Sequence, residues 1–205
     1  MQFSIKQSQL KALLILAPKS DIRYYLNGVF VEYNQEITRL VVTDGHKLGL
    51  LNFNACEGDN QDIGSLIIPR EVIENLPKTN SKLDPLLIIT KEEKAGYWKI
   101  TAAGIQTIFG QIEGTFPDFR RVCQFTTDGT PANYNPEYLA QFQKVQQALG
   151  GSKTVPPVIH QNGGSCALVE TTVHDFIGVI MPIRTQNIDM SAGKTVNPKF
   201  LNVLA

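Results

Sequence analysis

Two pairs of side chains in this sequence have the types that move protons near neutral pH: Asp44 with His46, and His174 with Asp175. A carboxylate beside an imidazole is the orienting part of a nucleophilic triad, which also needs a Ser or Cys presented on a sharp strand-to-helix turn. Neither pair has such a partner. Asp44 and His46 are neighbours within one turn, and His174-Asp175 is an isolated polar pair ahead of a strand. Glu92-Glu93 sits among lysines and reads as a solvated hairpin tip. Gly45, Gly49 and Gly163-Gly164 lack the Lys-Ser/Thr and the following helix of a phosphate loop. Cys56, Cys123 and Cys166 are single and far apart, without the Cys/His spacing of a zinc site. The expectation is a protein that is not an enzyme, with no catalytic residue, metal or cofactor.

Three other segments carry local signals. Thr43-Asp-Gly-His46 is a β-turn with Asp and Gly where such turns favour them. Phe116-Pro-Asp-Phe119 has the form of a linker turn, and Met181-Pro-Ile183 that of a strand end. Each alone is generic. Their combination, considered below, is specific.

The elements that must position them follow from a repeated phrase, an extended stretch running into a helix start. It opens at Phe3–Leu10, Leu66–Ile73, Tyr134–Leu139 and Val196–Leu201, with Pro69, Pro136 and Pro198 at corresponding places. Proline suits a first helical position because its missing N–H has no partner there. Asn135 and Asn197 stand where an N-cap belongs. Each of the first three openings is followed by three stretches of strand chemistry. They are Tyr25–Tyr33, Ile37–Thr43 and Leu48–Phe53, then Leu86–Thr90, Tyr97–Thr101 and Ile105–Ile112, then Val155–Gln161, Cys166–Glu170 and Phe176–Met181. Each unit reads strand, helix, three strands: an α+β chain of repeated βαβββ units.

With 42% hydrophobic and 19% charged residues, the 205-residue chain has material for one or two ordinary cores. Nineteen basic residues balance nineteen acidic ones, so any contact with nucleic acid must be local. The unpaired thiols, the lack of a signal-like N-terminus and the lack of a long apolar stretch predict a soluble cytoplasmic protein with no membrane partner.

Taken together, Thr43–Leu48, Phe116–Val122 and Met181–Arg184 resemble, in order, three signatures of the bacterial DNA polymerase III beta sliding clamp. These are the strand-turn of its second domain, the start of the linker leaving that domain, and its C-terminus. Ile22-Arg-Tyr-Tyr-Leu-Asn-Gly28 and Ile67-Ile-Pro-Arg70 extend the resemblance. It implies the sliding-clamp fold, with residues 1–122 as one complete domain like the family's second. Residues 123–205 would then be a partial domain like the end of the third, plus a C-terminal extension from Thr185.

The resemblance also implies a docking pocket for the short motifs by which DNA polymerases and repair proteins bind the clamp. Its matching positions are Leu26, Thr43, Gly45, His46, Lys47, Leu48, Pro117, Val122, Val179, Met181, Pro182, Ile183 and Arg184. Leu26, Leu48, Val122, Val179, Met181 and Ile183 would form aliphatic walls, Pro117 and Pro182 rigid rims, and Gly45 a point of close backbone approach. His46, Lys47 and Arg184 would orient the peptide. Burial of a ligand leucine and phenylalanine is worth about 1.5–3 kcal/mol each, partly offset by ordering, so micromolar affinity is expected.

In the family the helices line a hole around double-stranded DNA. The matching cations are Lys6, Lys11, Arg70, Lys78 and Lys144, a thin lining among acidic neighbours. If the tail counts as a degenerate fourth unit, three chains would close a ring. The expected assembly is a homotrimer, with a monomer as the competing state, and a free strand edge at Ile105–Ile112 or Phe176–Met181 as the joint. The functional expectation is a clamp-like processivity factor. The alternative is a non-encircling mimic that competes for clamp-binding partners.

Overall fold

The computed structural model describes residues 2–55, 63–77, 84–94, 96–123 and 126–184. The first unit comprises strand β1 (Gln2–Lys6), helix α1 (Gln7–Leu14) and strands β2 (Gly28–Tyr33), β3 (Ile37–Thr43) and β4 (Lys47–Asn54). The second comprises β5 (Gly64–Pro69), α2 (Arg70–Glu74), β6 (Leu86–Lys91), β7 (Tyr97–Ala102) and β8 (Ile105–Gly110). A short linker helix, α3 (Arg120–Cys123), precedes the third unit of α4 (Pro136–Ala148), β9 (Val158–His160), β10 (Ala167–Glu170) and β11 (Phe176–Ile180).

The strands form two antiparallel sheets, one in the order β1-β6-β7-β8 and one in the order β5-β2-β3-β4-β11-β10-β9. The leading strand of each of the first two units therefore crosses over to the other unit's strands. Along β6 and β7 buried and exposed residues alternate, the mark of a sheet with one face on the core. α1 is nearly enveloped. It packs between α2 and α4 and buries Leu10, Leu13 and Leu14 in a core shared with Ile68, Ile73, Phe142 and Val145. Each such side chain contributes roughly 1.5–3 kcal/mol of apolar burial.

The junction between the first and third units is a strand pairing, β4 with β11, in which Gly49 lies directly opposite Gly178. A Cβ on Gly49 would come within 2.5 Å of Leu16 from the α1 side, and one on Gly178 within 2.5 Å of Phe142 from α4. Paired glycines thus let two helices settle close onto one seam. At the start of α4, Asn135 accepts a hydrogen bond from the Glu137 N–H (2.9 Å) and Pro136 opens the helix, as the sequence predicts.

Several boundaries differ from the sequence reading. The third unit has no leading strand, because residues 126–135 take other partners. The Ala132 N–H donates to Gln161 Oε1, the Asn133 carbonyl accepts from Ile183, and Pro131 and Pro136 have no N–H to give. The stretch predicted from Val155 to Gln161 shortens to β9, since Gln146 Nε2 donates to the Ser152 and Val155 carbonyls and Pro156-Pro157 follow. Ile112 leaves β8 and donates to the Ile67 carbonyl of β5 instead. Phe176–Met181 is not a free edge: β11 lies between β4 and β10. The opening at Val196–Leu201, with Asn197 and Pro198, and the tail from Thr185 lie outside the described residues, as do Cys56 and Lys78.

Candidate functional site

The turn between β3 and β4 is built by its own side chains. Asp44 Oδ1 accepts the His46 and Lys47 N–H groups (2.8 and 3.0 Å), while Thr43 Oγ1 donates to the Lys47 carbonyl and accepts the Gly45 N–H (2.8 and 3.1 Å). Gly45 has φ +88, and a Cβ there would stand 2.9 Å from the Arg23 guanidinium. Turn conformation and the neighbouring Arg23 are therefore reasons for a glycine at this position.

Lys47 is 5% exposed, with its ammonium paired to Asp44 and lying 4.4 Å from the centre of the Tyr138 ring. Its charge thus holds the turn against α4 and faces inward, where the sequence reading had it orienting a ligand. Tyr138 has its phenol pushed up by burial, with Asp44 and Glu137 adding to the effect. Arg23 ties a second loop to the turn, donating to the Asp44 carbonyl (2.8 Å) and to Asp21 Oδ2 (2.7 Å). The Arg23 side-chain hydrogen bond is the main reason the half-buried Asp21 carboxyl drops from an ordinary 3.8 to about 2.

Beneath the turn lies a small apolar core of Leu26, Val41, Leu48, Leu50, Ile67, Phe116, Phe119 and Val179. The two phenylalanines of the linker segment anchor it, Phe116 stacking on Phe30 at 4.7 Å. Arg120 clamps the linker from outside: it donates to Glu32 (2.6 Å) and lies over Phe119 at 4.7 Å. Burial alone would raise the Glu32 carboxyl, but the hydrogen bonds from Arg120 and Arg39 outweigh it and hold the group below its ordinary value. The last described segment is fastened by the Met181 N–H to the His46 carbonyl (2.8 Å) and the Ile183 N–H to the Asn133 carbonyl (2.7 Å).

These contacts leave a cavity of about 270 Å³. Leu26, Thr43, Gly45, His46, Lys47, Leu48, Pro117, Val122, Val179 and Met181 line it. Pro182, Ile183 and Arg184 line instead a neighbouring cavity of about 470 Å³, with Gly45, His46 and Met181 forming the partition common to both. Sequence reasoning missed Arg23, Asp118, Phe119 and Cys166 in the first cavity and Asn135 and Tyr138 in the second. Asp118 and Phe119 belong to a segment already singled out. Asn135 and Tyr138 belong to a helix read only as a helix, and Cys166 was weighed only for metal; its thiol donates to Met181 Sδ at 3.1 Å. Burial raises the Cys123 thiol at the end of α3.

The remaining groups are not at the cavity. His174 and Asp175 form the exposed turn before β11. Lys6 and Lys144 are exposed, and Lys11 is half-buried. Arg70, expected to face phosphate, donates to the Leu14, Ala17 and Pro18 carbonyls (3.0, 2.7 and 3.0 Å) and pairs with Glu74 at 2.7 Å. It satisfies orphan acceptors at the end of α1, which is structural work. Among the described residues no three His, Cys, Asp or Glu side chains cluster as for a metal, and no helix is long and apolar enough to cross a membrane.

Residues 4–118 match the family model of the DNA polymerase III beta subunit, central domain. The chain belongs to the DNA polymerase III beta subunit family. The beta sliding clamp of Pseudomonas aeruginosa is 34% identical over 128 residues, 60% of this chain and 34% of that one. The clamp of Escherichia coli K12 is 33% identical over 129 residues, again 60% of this chain and 33% of the relative. The chain spans about a third of the length of these curated relatives. In three dimensions it superposes on the crystal structure of the Pseudomonas aeruginosa subunit with a TM-score of 0.67 and 24% identity, covering 90% of this chain and 66% of that one. The fold is the sliding-clamp fold of this beta subunit family, seen in the four-stranded and seven-stranded sheets and their crossed leading strands.

Proposed function

We propose that this chain is a non-catalytic docking module of the sliding-clamp family, serving DNA replication by holding short clamp-binding segments of DNA polymerases and repair proteins. The observation that carries the reading is the convergence of three distant segments on one largely apolar cavity with a few polar groups at its rim. Such a cavity selects a flexible partner by apolar anchors and fixes its direction by a small number of hydrogen bonds. The first cavity takes one aliphatic and one aromatic side chain, and the second receives the segment before them across the Met181–His46 partition. Residues 1–122 act as one clamp domain, and the third unit supplies the far wall of the site. The relatives are named for clamps, and that likeness supports a role as a processivity factor.

A second reading is favoured by β11. Of the two strands expected as the ring joint, β11 is taken, lying between β4 and β10, which leaves β8 without that complement for a head-to-tail series. Together with the engagement of Arg70 at the end of α1, this favours a module that binds the same partners without encircling double-stranded DNA. Cytoplasmic location follows from either role.

Calorimetry with a peptide of the type Gln-Leu-x-Leu-Phe tests the docking claim. Micromolar binding by the natural sequence is expected, with about tenfold weakening in Met181→Ala from lost apolar contact. No binding of any such peptide removes the claim. Retention on closed circular DNA, lost on linearising it, would decide for the encircling role; co-elution with neither form would decide against it.

A further inference from the structure

The way this chain closes one of its sheets indicates what the open end of the other one meets. Each unit finishes with a closing strand: β4, β8 and β11. Two of these pair with each other, β4 with β11, antiparallel over five residue pairs from Lys47–Ile180 to Leu51–Phe176. β8 is the third, and among the described residues it has a neighbour on one side only, β7. We infer that β8 pairs with β8 of a second copy of this chain, forming a two-fold symmetric dimer with a continuous eight-stranded sheet.

The other edges do not compete well for this role. The middle residues of the edge strands β1 and β5 are buried, and β5 also accepts the Ile112 N–H. β9 is three residues long. β8 has six residues, of which only Phe109 is buried; Ile108 is 62% exposed and Ile105 55%. A long, exposed strand with an unpaired backbone is a template for another strand unless charge, proline or cover blunts it. Ile105-Gln-Thr-Ile-Phe-Gly110 has neither charge nor proline.

The sequence suits a copy of itself. A two-fold axis normal to the sheet makes the pair antiparallel and keeps both copies' Phe109 on the helix-covered face. The pleat then requires a residue to lie opposite itself, Thr107 or Ile108, because a shift of one would reverse the faces. Either register brings uncharged side chains together. Lys99, opposite Ile108 on β7, is already paired with Glu92 at 3.1 Å, so no unpaired charge stands at that position. The outer face of the joined sheet gathers Leu86, Ile88, Tyr97 and Ile108 from each copy, all partly exposed in the single chain. The pairing is isologous and stops at two, in contrast to an open head-to-tail series.

The inference does not depend on the cavity, and its test keeps the two apart. Sedimentation equilibrium of the full chain across micromolar to submillimolar concentration should fit monomer and dimer. Ile108→Lys, which places two ammonium groups near the axis, should weaken the dimer about tenfold or more. Gln106→Lys, on the same outward face, should act in the same direction, and unchanged circular dichroism and urea unfolding would show both variants folded. Hydrogen exchange should slow at Gln106 and Ile108, whose N–H groups face away from β7, as concentration rises. A chain monomeric throughout, a trimer, a dimer indifferent to both lysines, or Gln106 and Ile108 amides already protected in the monomer would each overturn the inference.

Discussion

The turn at Thr43–Leu48 and the C-terminal end of α1 both contain a cation that a sequence reading assigns to a ligand, and in both the cation is occupied by the protein itself. Lys47 is buried between Asp44 and the Tyr138 ring. Arg70 satisfies three carbonyls around the end of α1 and pairs with Glu74. The consequences differ. At the turn, internal pairing holds three chain segments around a cavity, leaving Met181 and His46 exposed for a partner. At the helix end it closes the surface, and of the described predicted cations Lys6 and Lys144 remain exposed. An internally paired cation therefore shapes a binding site in one place and removes one in the other, depending on whether apolar walls stand beside it.

The sharpest break in that comparison is Leu48→Asp. Leu48 is 4% exposed and faces the cavity, so a carboxylate there is desolvated without a partner. Peptide affinity measured by calorimetry should fall roughly 100-fold or more, whereas Arg70→Ala should leave it unchanged. Next in size is Lys47→Ala, which strands the Asp44 carboxylate. Urea unfolding should show a loss of about 2–3 kcal/mol, moderated by the two backbone N–H groups Asp44 keeps. Peptide affinity should fall as well, because the turn frames the cavity.

Arg70→Ala should cost about 1–2 kcal/mol in the same unfolding measurement, the worth of acceptors left to water at a helix end. A larger loss of DNA binding than of stability would return Arg70 to the surface. The smallest expected effect concerns Asp21. Its folded value of about 2 lies below the ordinary 3.8, so its contribution is complete above pH 4 and disappears as pH falls from 3.8 through 2. An NMR titration of the carboxyl should give a midpoint near 2, and Arg23→Ala should return it toward the ordinary carboxylate range. An unmoved midpoint would detach Arg23 from the loop that frames the turn.

Local rules carried much of the architecture. Alternation marked β6 and β7, the Asn135-Pro136 pair marked the start of α4, and the Asp-Gly pair marked the turn at 44–45, since each depends on a few neighbouring residues. The thirteen residues implied by family resemblance all lie at one of two adjoining cavities. What sequence alone could not determine involves partners far along the chain. Nothing near Val155 shows that Gln146 will take its carbonyl, and nothing near Arg70 shows that α1 ends beside it. Nor does the composition of Phe176–Ile180 reveal that both its edges are filled while Ile105–Gly110 has, among the described residues, a partner on one edge only, because the two strands have similar chemistry. Composition and periodicity fix which backbone conformation a segment prefers. Which hydrogen bonds and charges stay free for another molecule depends on which distant segments fold against it, and that is settled only when the sheets close.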